Sequence, residues 1–312
     1  MTIDKLFSKL RNNIPLAPNS NKPFHQHLLD NFENYLSGLE QLNSNEFHKR
    51  FHKIEKEITL KKFITIEKKI CDIIEESILE GRNGRINSAY KMLRSLLKNK
   101  TKNLSDNIYN YFECDFSEEI KEFYRIQNME PEKYEFPNSM KHCPFENVYR
   151  TGNYRFSLSG FPCLYVGSSI DVCKLETSKP KDGERCYQAK FILKEIQQRG
   201  NKKQLFLNLV PPANCTDEKE LFYFLLLYPF YIACLAKRKE SEGNFHAEYI
   251  IPQLLLMYLR EEKLLHGIKY LSTHSNGKDN CNEMINYVFP VRNIKDKGFD
   301  YELIGQFEME EI

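Results

Sequence analysis

The densest chemical signal in the chain is RFSLSGFPCLYVGSSIDVCKLE, Arg155 to Glu176. Gly160 and Pro162 mark a turn, CLYVGS reads as a buried strand, and Ser168, with Asp171 three residues on, can cap the helix that follows. At about 100° per residue, Glu176 falls between Val172 and Cys173 on the apolar side of that helix, with Asp171 and Lys174 on the other. A carboxylate on a core-facing stripe is costly unless it is paired or hydrogen-bonded. It either meets a cation inside the protein or lines a cleft. The plain alternative is a Glu near a helix end that reaches solvent.

Two cations can converge on it. Arg125 in FYRI and Arg155 in YRFS each fall in an expected strand. An Arg that points inward from a strand is common where phosphate is bound, because its planar fork matches two oxygens. Strand alternation equally allows each Arg to face outward. His142 in KHCPFE reads as a packed or surface residue, and His48 and His52, four apart on an expected helix, lack a third ligand. No metal site is expected.

Other chemistries lack their residues. There is no G-x-G-x-x-G after a strand, no G-x-x-x-x-G-K-[ST], no H-E-x-x-H and no G-x-S-x-G. The 9 Cys include no C-x-x-C pair, so neither a zinc knuckle nor a redox pair is indicated. With 45 Lys+Arg against 43 Asp+Glu, the net charge of +2 argues against a protein organised around a nucleic-acid backbone.

The elements that must position these residues change character near residue 115. Before it, FHQHLLDNFENYLSGLEQL, FHKRFHKIEKEITLKKFITIEKKICDIIEESIL and INSAYKMLRSLLKNKTKNL have apolar residues at three- and four-residue spacing and read as amphipathic helices, with a break at GRNG, Gly81–Gly84. After it, EFYRI, RFSL, CLYVGS, CYQAKFIL, QLFLNLV, GIKYLS, INYVFPV and YELIGQFEM read as strands; IDVCKLET, EKELFYFLLLY and AEYIIPQLLLMYLREEKLL read as helices. The expectation is an α+β chain, with an all-helical accessory domain over 1–115 and a mixed α/β domain over 116–312. The apolar run Leu221–Ala236, interrupted by Pro229, is shorter than the ~18 residues of a membrane span and reads as a buried helix. With no secretory signal, a cytoplasmic protein with reduced thiols and no membrane association is expected.

The chain resembles the RES domain family, named for Arg, Glu and Ser. The matching elements are FYR with Tyr124 and Arg125, RFS with Arg155, GFPCLYVGSS with Tyr165, KLE with Glu176 and GIKYLS with Ser272, beside which lie Thr273 and Ser275. EYIIPQLLL, Glu248–Leu256, is similar to the helix that precedes the last of these strands in larger members. The resemblance spans roughly residues 120–292. It implies a fold related to ADP-ribosyltransferases and cleavage of the nicotinamide–ribose bond of NAD, the substrate, by hydrolysis or phosphorolysis.

In that reading Glu176, Arg155 and Tyr165 are catalytic, while Arg125, Ser272 and Tyr124 bind NAD. The family's role implies a toxin or defence effector with an antitoxin or regulatory partner. The helical extension, which compact members lack, implies a regulatory region that can also pair with a second copy of the chain. ADP-ribosyl transfer to a macromolecule, or an inactive RES-like interaction module, are the competing readings.

Overall fold

The computed structural model describes residues 1–19, 21–100, 104–115, 122–194, 205–215, 217–239, 245–262, 265–274 and 284–312. Ser275 and Cys281 lie outside the described residues. The chain begins with six helices: α1 Ile3–Arg11, α2 Phe24–Glu40, α3 Ser44–Phe51, α4 Leu60–Arg82, α5 Ile86–Lys98 and α6 Ile108–Phe112. There follow β1 Glu113–Asp115, β2 Glu122–Met129, β3 Cys163–Gly167, α7 Ile170–Glu176, β4 Arg185–Leu193 and β5 Leu205–Leu209. The last third holds α8 Glu218–Cys234, α9 Ile250–Glu261, β6 Leu265–Leu271, β7 Ile285–Pro290, α10 Tyr301–Ile304 and β8 Phe307–Glu311. This is an α+β fold: a helical region, then a sheet with helices.

The elements gather into two compact units, Met1–Glu113 with Leu209–Tyr258, and Cys114–Asn208 with Leu259–Ile312. The sequence reading drew one boundary at 115/116 and assigned everything beyond it to the second domain. Instead the chain re-enters the helical unit with α8 and most of α9. Polarity explains the return. From Leu221 to Cys234 all but one residue of α8 is buried, so the helix has no polar face to turn to water and needs neighbours on every side. Phe7 and Tyr35 pack on it, as do Phe51, Phe63 and Phe112. Among the described residues no helix is long and apolar enough to cross a membrane.

Pro229 does not interrupt α8, contrary to the expectation from sequence. A proline inside a helix leaves the carbonyl four residues earlier without its N–H donor. Here that carbonyl belongs to Leu225, and the buried Tyr35 hydroxyl donates to it at 2.8 Å. A side chain from α2 thus replaces the missing backbone donor.

The second unit is built on an eight-stranded sheet of order β1-β5-β6-β7-β3-β2-β4-β8. The run from β6 to β8 pairs antiparallel throughout. One face is an aromatic core: Phe123 meets Tyr287, Phe289 and Phe307, and Phe307 also meets Phe191. Alternation sends Tyr124, Gly167 and Asn286 to the opposite face, where Tyr124 pairs with Gly167 and Gly167 with Asn286. β7 is buried along its whole length, as a strand covered on both faces must be.

Three local expectations change. RFSL is not a strand; Tyr154 and Ser157 exchange both backbone hydrogen bonds, so Arg155 and Phe156 sit at the tip of a tight turn. The segment 301–309 is not one strand, because Asp300 caps a helical turn at Glu302 and Leu303 before β8 begins. The cap of α7 is Ser169, which accepts from the Val172 N–H, because Ser168 is still tied to Ile285 of β7 through its backbone N–H and its Oγ.

Candidate active site

Glu176 ends α7, whose position is set by a close approach to β3. A Cβ on Gly167 would stand 2.8 Å from Cys173 Sγ, so only a glycine lets the helix lie this near the strand. The Cys173 thiol then donates to the Tyr124 carbonyl of β2 at 3.1 Å. Val172 and Cys173 are buried, as the helical phase requires, and the Glu176 side chain leans across the sheet with 34% of its surface exposed.

Two donors meet Glu176 there. Ser272 Oγ donates to Oε1 at 2.6 Å and Asn286 Nδ2 donates to the same oxygen at 2.7 Å. An ionised carboxylate only accepts, so the nitrogen end of the Asn286 amide must face it. The Ser272 hydroxyl is oriented in turn by the His274 backbone N–H, which donates to its oxygen at 3.2 Å. Ser272 and Asn286 are buried. The second carboxylate oxygen, Oε2, lies 3.6 Å from Nε2 of the exposed His274 ring.

The other expected residues join this group through a chain of contacts. Thr273, next to Ser272, accepts from the Arg155 guanidinium at 3.3 Å. The Tyr154–Ser157 turn that carries Arg155 also places Ser157 Oγ 2.7 Å from the Tyr165 hydroxyl. Tyr154, exposed, sets its ring edge-on to Tyr165 with centroids 6.0 Å apart. Arg125 donates through a guanidinium nitrogen to the Tyr165 carbonyl at 2.6 Å. β2 and β3 share a single register pair, Tyr124 with Gly167, and the Arg125 side chain spans the opening beyond it.

The poorly solvated charge in this region is that of Arg125. Arg125 is half-buried and its Nε is sealed from solvent without a hydrogen-bond partner. Burial lowers its pKa to about 10, which the neighbouring Cys173 and Tyr154 only partly offset. It remains a cation at neutral pH. Burial raises the Tyr165 hydroxyl well above its ordinary value, so it stays a neutral hydrogen-bonding group.

Of the six residues read from the sequence, Glu176 and Ser272 meet directly, and Arg155, Tyr165 and Arg125 connect to them by the steps above. Tyr124 contributes its main chain, while its hydroxyl donates to Glu122 at 3.4 Å. His142 is a packed residue: its Nε2 accepts from the Asp300 N–H at 2.9 Å, its Nδ1 lies 2.8 Å from the Cys143 carbonyl, and burial lowers its pKa. Among the described residues no group of three or more His, Cys, Asp or Glu could hold a metal ion. Sequence reasoning missed Asn286, His274 and Ser157. An Asn as the second residue of the otherwise apolar strand INYVFP is a usable signal; Ser157 closes the RFS motif but was given no role, and His274 lies in a turn with no signal.

The chain is similar to the protein named "Putative toxin YopC" from Bacillus subtilis (strain 168), at 34% identity over 190 residues. The match covers 56% of this chain and 42% of that protein, so the chain spans less than half the length of this relative. No family model and no solved structure matches the chain.

Proposed function

We propose that the chain is a toxin of the RES type that cleaves NAD at the bond between nicotinamide and ribose. The observation that carries this reading is the anchored carboxylate: Glu176 is held by two buried donors, beside two arginines tied into the same group of contacts. When the C–N bond of NAD breaks, its electron pair goes to the ring nitrogen and nicotinamide leaves neutral. The positive charge passes to the ribosyl ring. A fixed carboxylate stabilises that charge as it develops, as carboxylates do in glycoside cleavage. Water then adds and loses a proton, giving ADP-ribose; inorganic phosphate in its place gives the ADP-ribose phosphate ester.

Arg155 and Arg125 supply positive charge for the pyrophosphate or an incoming phosphate, Arg155 with the fork geometry that such oxygens favour. Tyr165 and Tyr154 offer aromatic surface for the nicotinamide or ribose. The toxin role is supported by the similarity to a relative named as a toxin. In a cell the expected consequence is loss of NAD, held in check by an antitoxin or regulatory protein.

The test is direct. The purified chain is incubated with NAD, and nicotinamide and ADP-ribose products are quantified. Glu176→Gln should lower the rate by about 10²-fold or more, the scale on which one positioned catalytic group acts. A fully active Gln variant, or a wild-type chain that leaves NAD intact, would sink the proposal.

A further inference from the structure

Both of these donors fall on the same oxygen of Glu176, Oε1, while among the described residues Oε2 faces the exposed His274 ring at 3.6 Å. Asn286 is the second residue of β7 and is 5% exposed, among Ile285, Tyr287, Val288 and Phe289. A side-chain amide in an apolar strand costs free energy unless its polar atoms are matched. Here the donor end is matched to Glu176. The register explains the reach: Asn286 stands opposite Gly167 on one side and Tyr270 on the other, on the sheet face over which α7 lies. Gly167, without a side chain, brings α7 close enough for the contact.

We propose that Asn286 is a positioning residue for the reacting carboxylate: together with Ser272 it fills Oε1 and fixes the rotation of the carboxyl group, so that Oε2 is the oxygen presented to the ribose. This rests on the reading of Glu176 as the group that faces the ribosyl cation. The two donors differ in kind. A hydroxyl can rotate away and donate elsewhere, whereas a side-chain amide held in a strand keeps its N–H on the carboxylate at every working pH. A hydrogen bond donated to a charged carboxylate favours the charged form, so replacing that donor by an acceptor disfavours it. Among the described residues, the titratable groups around Glu176 are His274 after β6 and the Cys173 thiol on α7, with Arg155 one contact further. None of them is altered by substitution at 286.

The experiment uses the full chain with NAD as the probe, reading kcat and KM against pH. In parallel, the Glu176 carboxyl is titrated by carbon-13 NMR, its signal assigned by loss in Glu176→Gln. Asn286→Asp keeps the shape but puts an acceptor, and once it has lost its proton a second negative charge, beside Oε1. The expected result is an acid limb of kcat, and a Glu176 titration, moved up by about one pH unit or more. At neutral pH kcat should fall roughly 10- to 100-fold with KM within about threefold, because transition-state stabilisation is lost while ground-state binding is kept. A folded Asn286→Asp protein with the wild-type limb and titration would overturn the proposal.

If the introduced charge prevents folding, Asn286→Ala should lower kcat about tenfold without a matching change in KM; an unchanged kcat there overturns the proposal equally. The NMR arm needs no turnover. A shifted titration in a chain that does not consume NAD supports the positioning role and sinks the NAD reading, whereas an unshifted titration in an active enzyme sinks the positioning role alone.

Discussion

Substituting Gly167 by Ala tests whether the close approach of α7 to β3 is what places Glu176. The new Cβ would stand 2.8 Å from Cys173 Sγ, 3.2 Å from the Ser169 carbonyl oxygen and 3.4 Å from Val172 Cγ1. Comfortable heavy-atom contacts lie near ~3.5–4.0 Å, so the first turn of α7 must retreat from the strand by roughly 0.7–1 Å. Ser272 and Asn286 belong to the sheet and stay behind. Their bonds to Oε1, now 2.6 and 2.7 Å, would stretch beyond the ~3.2 Å limit of good hydrogen bonds. A misplacement of about 1 Å at a reacting group can cost ~10²-fold in rate, and overpacking costs ~1–3 kcal/mol in stability. The prediction is a folded protein whose kcat on NAD falls by about 30- to 100-fold. Adding Cys173→Ala removes the nearest atom and should return part of that loss, the Ser169 carbonyl keeping the rest. Steady-state kinetics and thermal melts read both effects. A Gly167→Ala protein with wild-type kcat, or a double variant no better than the single one, would refute the reasoning.

Two predictions concern the helical unit. Tyr35→Phe leaves the buried Leu225 carbonyl without a donor and should cost ~1–3 kcal/mol, seen as a melt lowered by several degrees. Pro229→Ala in that background restores an N–H to the same carbonyl and should recover much of the loss; no recovery would mean that Tyr35 acts otherwise. Glu67 on α4 is fully buried, and burial holds its pKa well above the ordinary carboxylate range, which the neighbouring Tyr35 hydroxyl only partly offsets. A carboxyl that binds its proton more tightly when folded favours folding fully below its unfolded value of ~4.3, and that contribution is lost as pH rises through the folded value. Glu67→Gln should therefore flatten the fall in melting temperature as pH rises above ~4.3, and parallel melting curves for the two proteins across pH would contradict this.

The sequence made some of this arrangement readable and hid the rest for physical reasons. Glu176 was legible because helical phase is local: three residues of α7 suffice to place it on the apolar side. Ser272 followed from the motif, but its division of labour with Thr273 did not, since one turns to Glu176 and the other to Arg155 across the sheet. RFSL alternates as a strand does, and a four-residue turn closed by Tyr154 and Ser157 has the same composition. The partner of Pro229 lies in α2, far away in sequence, so a local rule correctly identified the lost hydrogen bond and missed its replacement. α8 was recognised as buried, yet nothing within it says which elements bury it.

The order in which the chain is made has a consequence for the cell that makes it. Glu176 leaves the ribosome with α7, whereas Ser272 and Asn286 arrive only after α8 and α9 have been translated. β7, which sits between β6 and β3, is needed before the sheet can join across the site. At about 5–20 residues per second, the carboxylate waits on the order of ten seconds for its anchors. During that interval the nascent protein already displays α1 to α6 but has no assembled centre. For the toxin proposed above, a restraining partner that recognised those first helices would meet the chain before its centre is assembled.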